Sequence, residues 1–312
     1  MKKTVLVESR KYYNDIRKRL SAVVDCQLVS KKTLMSYENN ADVIAVACSR
    51  TLARQLQSIN LPNCKLIQLE SVGFDNVDLS IFKNKGICVC NAKSIYDNCL
   101  AEYVVFAMLL YAKRFHRSIK NWIFRPFRNY RYMTEIAGKT VGVMGVGQIG
   151  GEVAKRLSMF GVNIIGYANN TKEKEYFSEI YHKAKFAQFL SSCDFLINVL
   201  PHDDSTIGLL NKNTLHYLKP TVAFINIGRE SIYVKKDLVT FFKANRDAVA
   251  ILDIFEVIPR FLTNPLRRLS NVLIMPGVSA ISRESDFEII NLICANINSL
   301  LNNKELQNIV VC

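Results

Sequence analysis

Apolar residues in the first hundred positions fall into short runs at 4–7, 42–48, 65–69 and 86–90, separated by stretches of amphipathic, helical pattern. Such runs, rich in Val, Ile, Leu and Cys, predict strands, and their alternation with helical segments predicts a parallel sheet with helices on its faces. From 97 to about 118 the period is helical and long, with Leu100, Val104, Ala107, Met108 and Tyr111 on one stripe. Alternation resumes at Lys139, with strand-like runs at 140–144, 163–167, 194–200, 221–227, 248–253 and 271–275. Parallel strands with helix-length connections make a second doubly wound sheet. The pattern therefore predicts an α/β protein with two doubly wound parallel-sheet (Rossmann-like) domains. A last helical stretch, from about 285 to 302, is expected to pack back on the first domain.

Composition narrows this picture only a little. The chain has 312 residues, 49% apolar and 22% charged, which suits two soluble globular domains. The longest apolar stretch, 104–112, is followed at once by Lys113 and Arg114 and falls well short of the roughly 20 residues that cross a bilayer. Charge follows the first apolar run too closely for a secretory leader, so a cytoplasmic protein without a membrane span is expected. The nine cysteines are scattered, without a Cys-x-x-Cys pair or a histidine cluster. Buried reduced thiols are expected, and no zinc site. The net charge of +14 is spread along the chain, and its one local concentration, Arg125, Arg128 and Arg131, reads better as a solvated loop than as a nucleic-acid surface.

The chemistry begins at GVGQIG, residues 145–150, placed between the run 140–144 and a helical pattern through Val153, Ala154, Leu157 and Phe160. Gly145 suits the tight turn, Gly147 lets backbone approach a pyrophosphate, and Gly150 lets the helix sit close to the strand. Free N–H groups and the positive dipole end of the helix, starting at Gln148 and Ile149, then face the phosphates. Dinucleotide enzymes that prefer NAD close the next strand with an acidic residue. Here the run 163–167 is followed by Ala168, Asn169, Asn170, Thr171 and Lys172. The absent carboxylate and the nearby donors favour a 2′-phosphate, so NAD(P)(H) is the expected cofactor, with NADP ahead; the alternative is that Lys172 is an ordinary surface lysine.

From these residues outward the chain resembles the D-isomer-specific 2-hydroxyacid dehydrogenases, the family that includes glyoxylate/hydroxypyruvate reductases and phosphoglycerate dehydrogenases. The likeness runs over nearly the whole length: SVGFDNVD at 71–78, GICVCN at 86–91 with Ala101 and Glu102, GKTVG at 138–142, NIGR at 226–229, LDIFE at 252–256 and NVLIMP at 271–276. The resemblance implies a nucleotide domain, 99–283, inserted into a smaller flavodoxin-like substrate domain, 1–98 and 284–312. It also implies a cofactor lying between them and a homodimer. Ser71, Val72 and Gly73 become the expected binders of the substrate carboxylate, and Pro201, Ile227 and Asp253 join the cofactor-binding set.

Reduction of a 2-keto acid needs a hydride donor, a cation for the carboxylate and carbonyl, and an acid for the developing alkoxide. Arg229 fills the second role by its place after Asn226, Ile227 and Gly228, and its planar fork suits a carboxylate. Glu230 stands where a glycine is usual. The family's acid pair is missing: Gly277 follows Pro276 where a histidine is expected, and Ile258 occupies the position of its carboxylate partner. Losing a positioned acid costs about 10²–10⁴ in rate. His202, between Pro201 and Asp203, is the nearest substitute in sequence, although a loop histidine is the better reading. His116, His182 and His216 read as helix-borne side chains, Glu256 lacks a histidine to orient, and Ser279 or Ser282 would at most order a water. Tyr96 and the 71–78 loop are expected to set pocket size. Two accounts remain open on sequence alone: an oxidoreductase acting on a small 2-keto acid, or a dinucleotide-binding relic serving as sensor or scaffold.

Overall fold

The computed structural model describes residues 3–115, 133–169, 172–253 and 263–312. The chain divides into two compact units, Met1–Tyr96 with Ile281–Cys312, and Asp97–Ala280.

The first unit contains β1 (Thr4–Val7), β2 (Asp25–Leu28), β3 (Val43–Cys48), β4 (Leu66–Leu69), β5 (Cys88–Cys90) and, from the far end of the chain, β13 (Ile309–Val311). They form one sheet in the order β2-β1-β3-β4-β5-β13, parallel except for β13 against β5. The helices are α1 (Arg10–Leu20), α2 (Arg50–Leu56), α3 (Leu79–Asn84) and the terminal α9 (Arg283–Leu301). β1, β3 and β4 are buried throughout, as expected of parallel strands covered on both faces. On one face Ala45 and Leu66 pack with Ile16 and Leu20 of α1 and Ile289 and Ile293 of α9. On the other, Leu6, Val46 and Ile67 pack with Leu52 of α2 and Phe82 of α3.

The second unit holds β6 (Thr140–Met144), β7 (Asn163–Tyr167), β8 (Glu179–Tyr181), β9 (Phe195–Asn198), β10 (Ala223–Asn226), β11 (Val249–Asp253) and β12 (Val272–Met275). Its order, β8-β7-β6-β9-β10-β11-β12, is parallel throughout. The direction of winding reverses between β6 and β9, the place where doubly wound sheets open a crevice for ligands. Helices α4 (Asp97–Ala112), α5 (Gln148–Leu157), α6 (Phe186–Ser192), α7 (Lys212–Leu215) and α8 (Lys235–Ala244) complete it. Phe189, Phe224 and Phe242 are fully buried in its core, each contributing about 1.5–3 kcal/mol over leaving the ring exposed.

Several details depart from the pattern reading. α4 ends at Ala112 rather than near 118, and Arg114 already has φ 49°. Strands β2, β8 and β13 were not predicted; each lies at or near a sheet edge, and β8 and β13 are only three residues long. The cysteines are not all reduced, because β13 brings Cys312 beside Cys88 and the two form a disulfide. The pair considered from spacing, Cys88 and Cys90 share one strand, and the partner of Cys88 comes from 224 residues away. Cys26, Cys48, Cys64, Cys90, Cys99, Cys193 and Cys294 form no disulfide.

Gly142 shows how closely α6 lies on β6. A Cβ there would overlap Cys193 Sγ and stand 2.9 Å from Phe189 Cζ, and both side chains are fully buried. Gly142→Ala should therefore destabilise by about 1–3 kcal/mol. Thermal melting followed by circular dichroism should show a Tm several degrees lower; an unchanged Tm would mean that this contact yields freely.

Candidate active site

The glycine turn joins β6 to α5 at the winding reversal. Gly145 has φ 104°, a backbone that disfavours a side chain, and a Cβ there would stand 2.9 Å from Val199 Cγ2. A Cβ on Gly150 would overlap the carbonyl oxygen of Gly145, so only glycine allows the helix to approach its strand this closely. Gly147 is the contrast: it precedes the helix in an extended conformation, and a Cβ on it would meet nothing within 4 Å. Among the described residues no side chain caps α5. Gly147 is exposed at its start, with Gln148 exposed and Ile149 half-buried behind it. That cradle fits a pyrophosphate, held by backbone N–H groups and the helix dipole.

β7 ends at Tyr167, and Ala168 continues the ladder by donating to Tyr181 O at 3.0 Å. Asn169 and Lys172 are exposed beyond it; Asn170 and Thr171 lie outside the described residues.

The carboxyl ends of β9 and β10 are tied together by two buried asparagines to which the sequence reading gave no structural role. Asn198 Nδ2 donates to Asn226 Oδ1 at 2.8 Å, and that same oxygen accepts from Gly228 N at 3.1 Å. Asn226 Nδ2 donates to the carbonyl oxygen of Arg229 at 3.1 Å, while Asn198 Oδ1 accepts from Leu200 N at 3.2 Å. A Cβ on Gly228 would stand 2.7 Å from Asn198 Nδ2, so the turn packs directly on the pair. The signal for both residues was a single asparagine closing an otherwise apolar run. Their effect is to aim the 226–229 turn and with it the half-buried Arg229, whose guanidinium Nη1 approaches Gly228 O at 3.5 Å. Pro201 O accepts from Thr206 Oγ1 at 2.8 Å, and Ile227 packs on the core behind the turn. Glu230 pairs with Lys235 at 2.8 Å.

At the end of β11, the Asp253 carboxylate accepts from Val278 N at 2.8 Å, from Ser279 N at 3.1 Å and from the Ser279 hydroxyl. Those bonds shape the turn after Pro276, where Gly277 has φ 70°. Ser279 is buried, with its hydroxyl committed to Asp253, and Ser282 caps α9 by accepting from Ser285 N at 2.9 Å. Both hydroxyls are thus engaged within the protein. Among the histidines, His202 Nδ1 bonds Ser231 Oγ at 2.7 Å on the surface, His182 caps a short 3₁₀ turn, and His216 lies against Tyr217. His116, Glu256, Ile258 and the arginines at 125, 128 and 131 lie outside the described residues.

In the first unit, the loop after β4 is fixed by its own bonds. Ser71 Oγ donates to Gly73 O at 2.8 Å, Asn91 Nδ2 donates to Val72 O at 2.7 Å, and Ala92 N donates to Ser71 O at 3.1 Å. Arg50 forms an ion pair with Asp75 beside it. Directly before the loop stands Glu70. Burial, then the charge of Glu8, pushes its carboxyl up to about 7. Glu8 itself accepts from Ser49 N at 2.7 Å, and Tyr96 Oη donates to the Glu70 carbonyl at 2.6 Å. Tyr96 is thus a brace for the loop's entry. Sequence reading gave Glu70 no role, although a carboxylate directly before the expected substrate loop was visible.

With this geometry described, the comparisons can be placed on it. The family model for the D-isomer specific 2-hydroxyacid dehydrogenase, NAD binding domain, matches residues 104–279. The chain belongs to this family. The D-3-phosphoglycerate dehydrogenase of Archaeoglobus fulgidus is 32% identical over 254 residues, 80% of this chain but only 47% of that protein, so the chain spans about half of that relative's length. The glyoxylate reductase of Aeropyrum pernix is 27% identical, with 99% of this chain and 96% of that protein covered. A solved 2-hydroxyacid dehydrogenase from Ketogulonicigenium vulgare superposes with a TM-score of 0.85 at 25% identity, covering 100% of this chain and 99% of that one. The glycine turn and Arg229 both fall inside the matched dehydrogenase segment.

Proposed function

We propose that this D-2-hydroxyacid dehydrogenase family member interconverts a small 2-keto acid and its 2-hydroxy acid with NAD(P)(H). The observation that carries the reading is the uncapped α5 N-terminus behind Gly147, in the same matched segment as an arginine aimed by buried asparagines. A reduced nicotinamide, when bound, supplies hydride to the carbonyl carbon. The backbone at 145–150 holds the pyrophosphate. Arg229 pairs with the substrate carboxylate and stabilises negative charge as it grows on the carbonyl oxygen. The fixed loop at Ser71, Val72 and Gly73 grips the carboxylate as well. Asp253 acts on the site through the 277–279 turn. Position 277 carries no group able to donate a proton, and Ile258 none able to orient one.

The finer parts of the proposal are NADP in preference to NAD, a homodimer, and a cytoplasmic setting. The cofactor preference is supported by the absence of a carboxylate at Ala168 and Asn169; no helix among the described residues is long and apolar enough to cross a membrane.

The test is calorimetry with NADPH and with NADH, followed by absorbance assays with glyoxylate, hydroxypyruvate, pyruvate and bulkier keto acids. Uptake of a reduced dinucleotide with turnover on at least one acid is expected. Lys172→Ala should weaken NADPH by a few-fold and leave NADH unchanged, one exposed charge contributing up to about 1 kcal/mol. Uptake without turnover on any acid would move the protein to the sensor reading, and failure to take up either coenzyme would overturn both.

A further inference from the structure

Within the first unit, the loop at Ser71, Val72 and Gly73 is held by the residues that follow β5, and that support leads on to residues 307–312. Asn91 Nδ2 donates to Val72 O at 2.7 Å, and Ala92 N donates to Ser71 O at 3.1 Å. The backbone N–H of the same Asn91 donates to Asn308 O at 3.0 Å, and Asn308 Nδ2 donates to Lys93 O at 2.9 Å. A second route runs through the core. The buried Asn296 of α9 accepts from Gln307 N at 2.7 Å and donates to Gln68 Oε1 at 2.6 Å. Gln68 Nε2 in turn donates to Asn91 O at 3.3 Å. Both routes start at residues 307–308 and end on Asn91.

β13 is by itself a weak anchor for this support. It is three residues long, lies at the edge of the sheet beside β5, and exposes Ile309. The Cys88–Cys312 disulfide fastens its far end. Cys312 is exposed and Cys88 half-buried, whereas six of the seven remaining cysteines are buried, so a reductant in solution meets this sulfur pair first. Exposed disulfides are the labile and regulatory kind. We propose that Cys88–Cys312 is a redox latch on the substrate loop. Closed, it keeps Asn91 bonded to Val72 for carboxylate binding; opened by a dithiol reductant, it releases residues 307–312 and loosens the loop. The consequence for substrate rests on the oxidoreductase reading above, and the latch itself does not.

Opening is thiol–disulfide exchange. A thiolate of the reductant attacks the exposed Cys312 Sγ, the S–S bond breaks, and Cys88 leaves as a thiolate that takes up a proton. The reductant's second thiol, as its thiolate, displaces Cys312 from the mixed disulfide, and the Cys312 sulfur is protonated in turn. Two electrons pass to the protein, the dithiol becomes a disulfide, and its two protons end on Cys88 and Cys312. A disulfide oxidant runs the same steps in reverse. With the bond open, β13 depends on its ladder bonds to β5 and on the half-buried Val311. The change is therefore local fraying of 307–312, which takes Asn308 from Asn91 and Gln307 from Asn296, with the sheet around it intact.

The decisive experiment compares oxidised wild type, wild type treated with dithiothreitol, and Cys312→Ser, by amide hydrogen exchange and in the keto-acid assay. Alkylation of the unfolded protein should label Cys88 and Cys312 after dithiothreitol and not before. Exchange should quicken at the amides of Gln307, Asn91 and Ala92, the last reporting the bond to Ser71 O directly, in reduced wild type and in Cys312→Ser alike. KM for the keto acid should rise by about tenfold, the effect of losing one or two hydrogen bonds that hold the loop. Dinucleotide affinity should stay within about twofold, because the glycine turn belongs to the other unit. Cys312→Ser should no longer respond to dithiothreitol; should it fold poorly, wild type before and after reduction decides. Unchanged alkylation, or Asn91 and Ala92 amides as protected after reduction as before, overturns the latch. Faster exchange with an unchanged KM overturns its control of substrate binding alone. A wild type that reduces no keto acid in either state overturns that control together with the oxidoreductase reading, and the exchange result still decides the latch.

Discussion

Arg229→Ala should lower kcat/KM for keto-acid reduction by about 10²–10³ while dinucleotide affinity stays within about twofold. The reason is local. The guanidinium sits beyond the end of β10 on a turn whose shape is set by Asn198 and Asn226, whereas the phosphate cradle lies at the end of β6. Removing it takes away the one cation proposed to pair with both the bound carboxylate and the oxygen that becomes negative. Ground-state binding and transition-state stabilisation should fall together, so KM rises and kcat drops. Arg229→Lys keeps the charge but loses the planar fork and should recover only part of the loss. Steady-state kinetics beside calorimetric titration with the reduced coenzyme separate the two contributions. An alanine variant with unchanged kcat/KM would show that the substrate is not held through this arginine.

Much of this architecture could be read from the chain because parallel strands announce themselves. A strand buried on both faces, such as 43–48, is an apolar run with no polar interruption. The glycine turn was legible for a related reason: Gly145 and Gly150 are required by backbone geometry and close approach, and no other residue would leave the same mark. What escaped were features made by distant partners. β13 is three residues that become a strand only beside β5, and the Cys88–Cys312 disulfide depends on that pairing. The Asn198–Asn226 bond joins two strand ends 28 residues apart, so neither asparagine stood out alone. Asp253, expected in the cofactor-binding set, also bonds the 278–279 backbone and a hydroxyl through its carboxylate, a structural role set by the fold of the following turn. Glu70 was silent because its character comes from burial and from Glu8, sixty-two positions earlier, rather than from its neighbours in sequence.

Restoring the missing acid pair, Gly277→His with Ile258→Glu, should raise keto-acid reduction by at least tenfold, against the full contribution of about 10²–10⁴ for a positioned general acid. The shortfall has a structural origin. Gly277 has φ 70°, in the left-handed region, where a histidine is tolerated at a cost of about 1–3 kcal/mol. The turn cannot easily relax, because Asp253 holds Val278 and Ser279 on its far side. Part of the gain is therefore lost to backbone strain, and the double variant should also melt at a lower temperature than wild type. Gly277→His alone should bring the strain without an orienting carboxylate and gain little. A restored pair without effect would show that the substrate carbonyl in this protein no longer lies beside position 277.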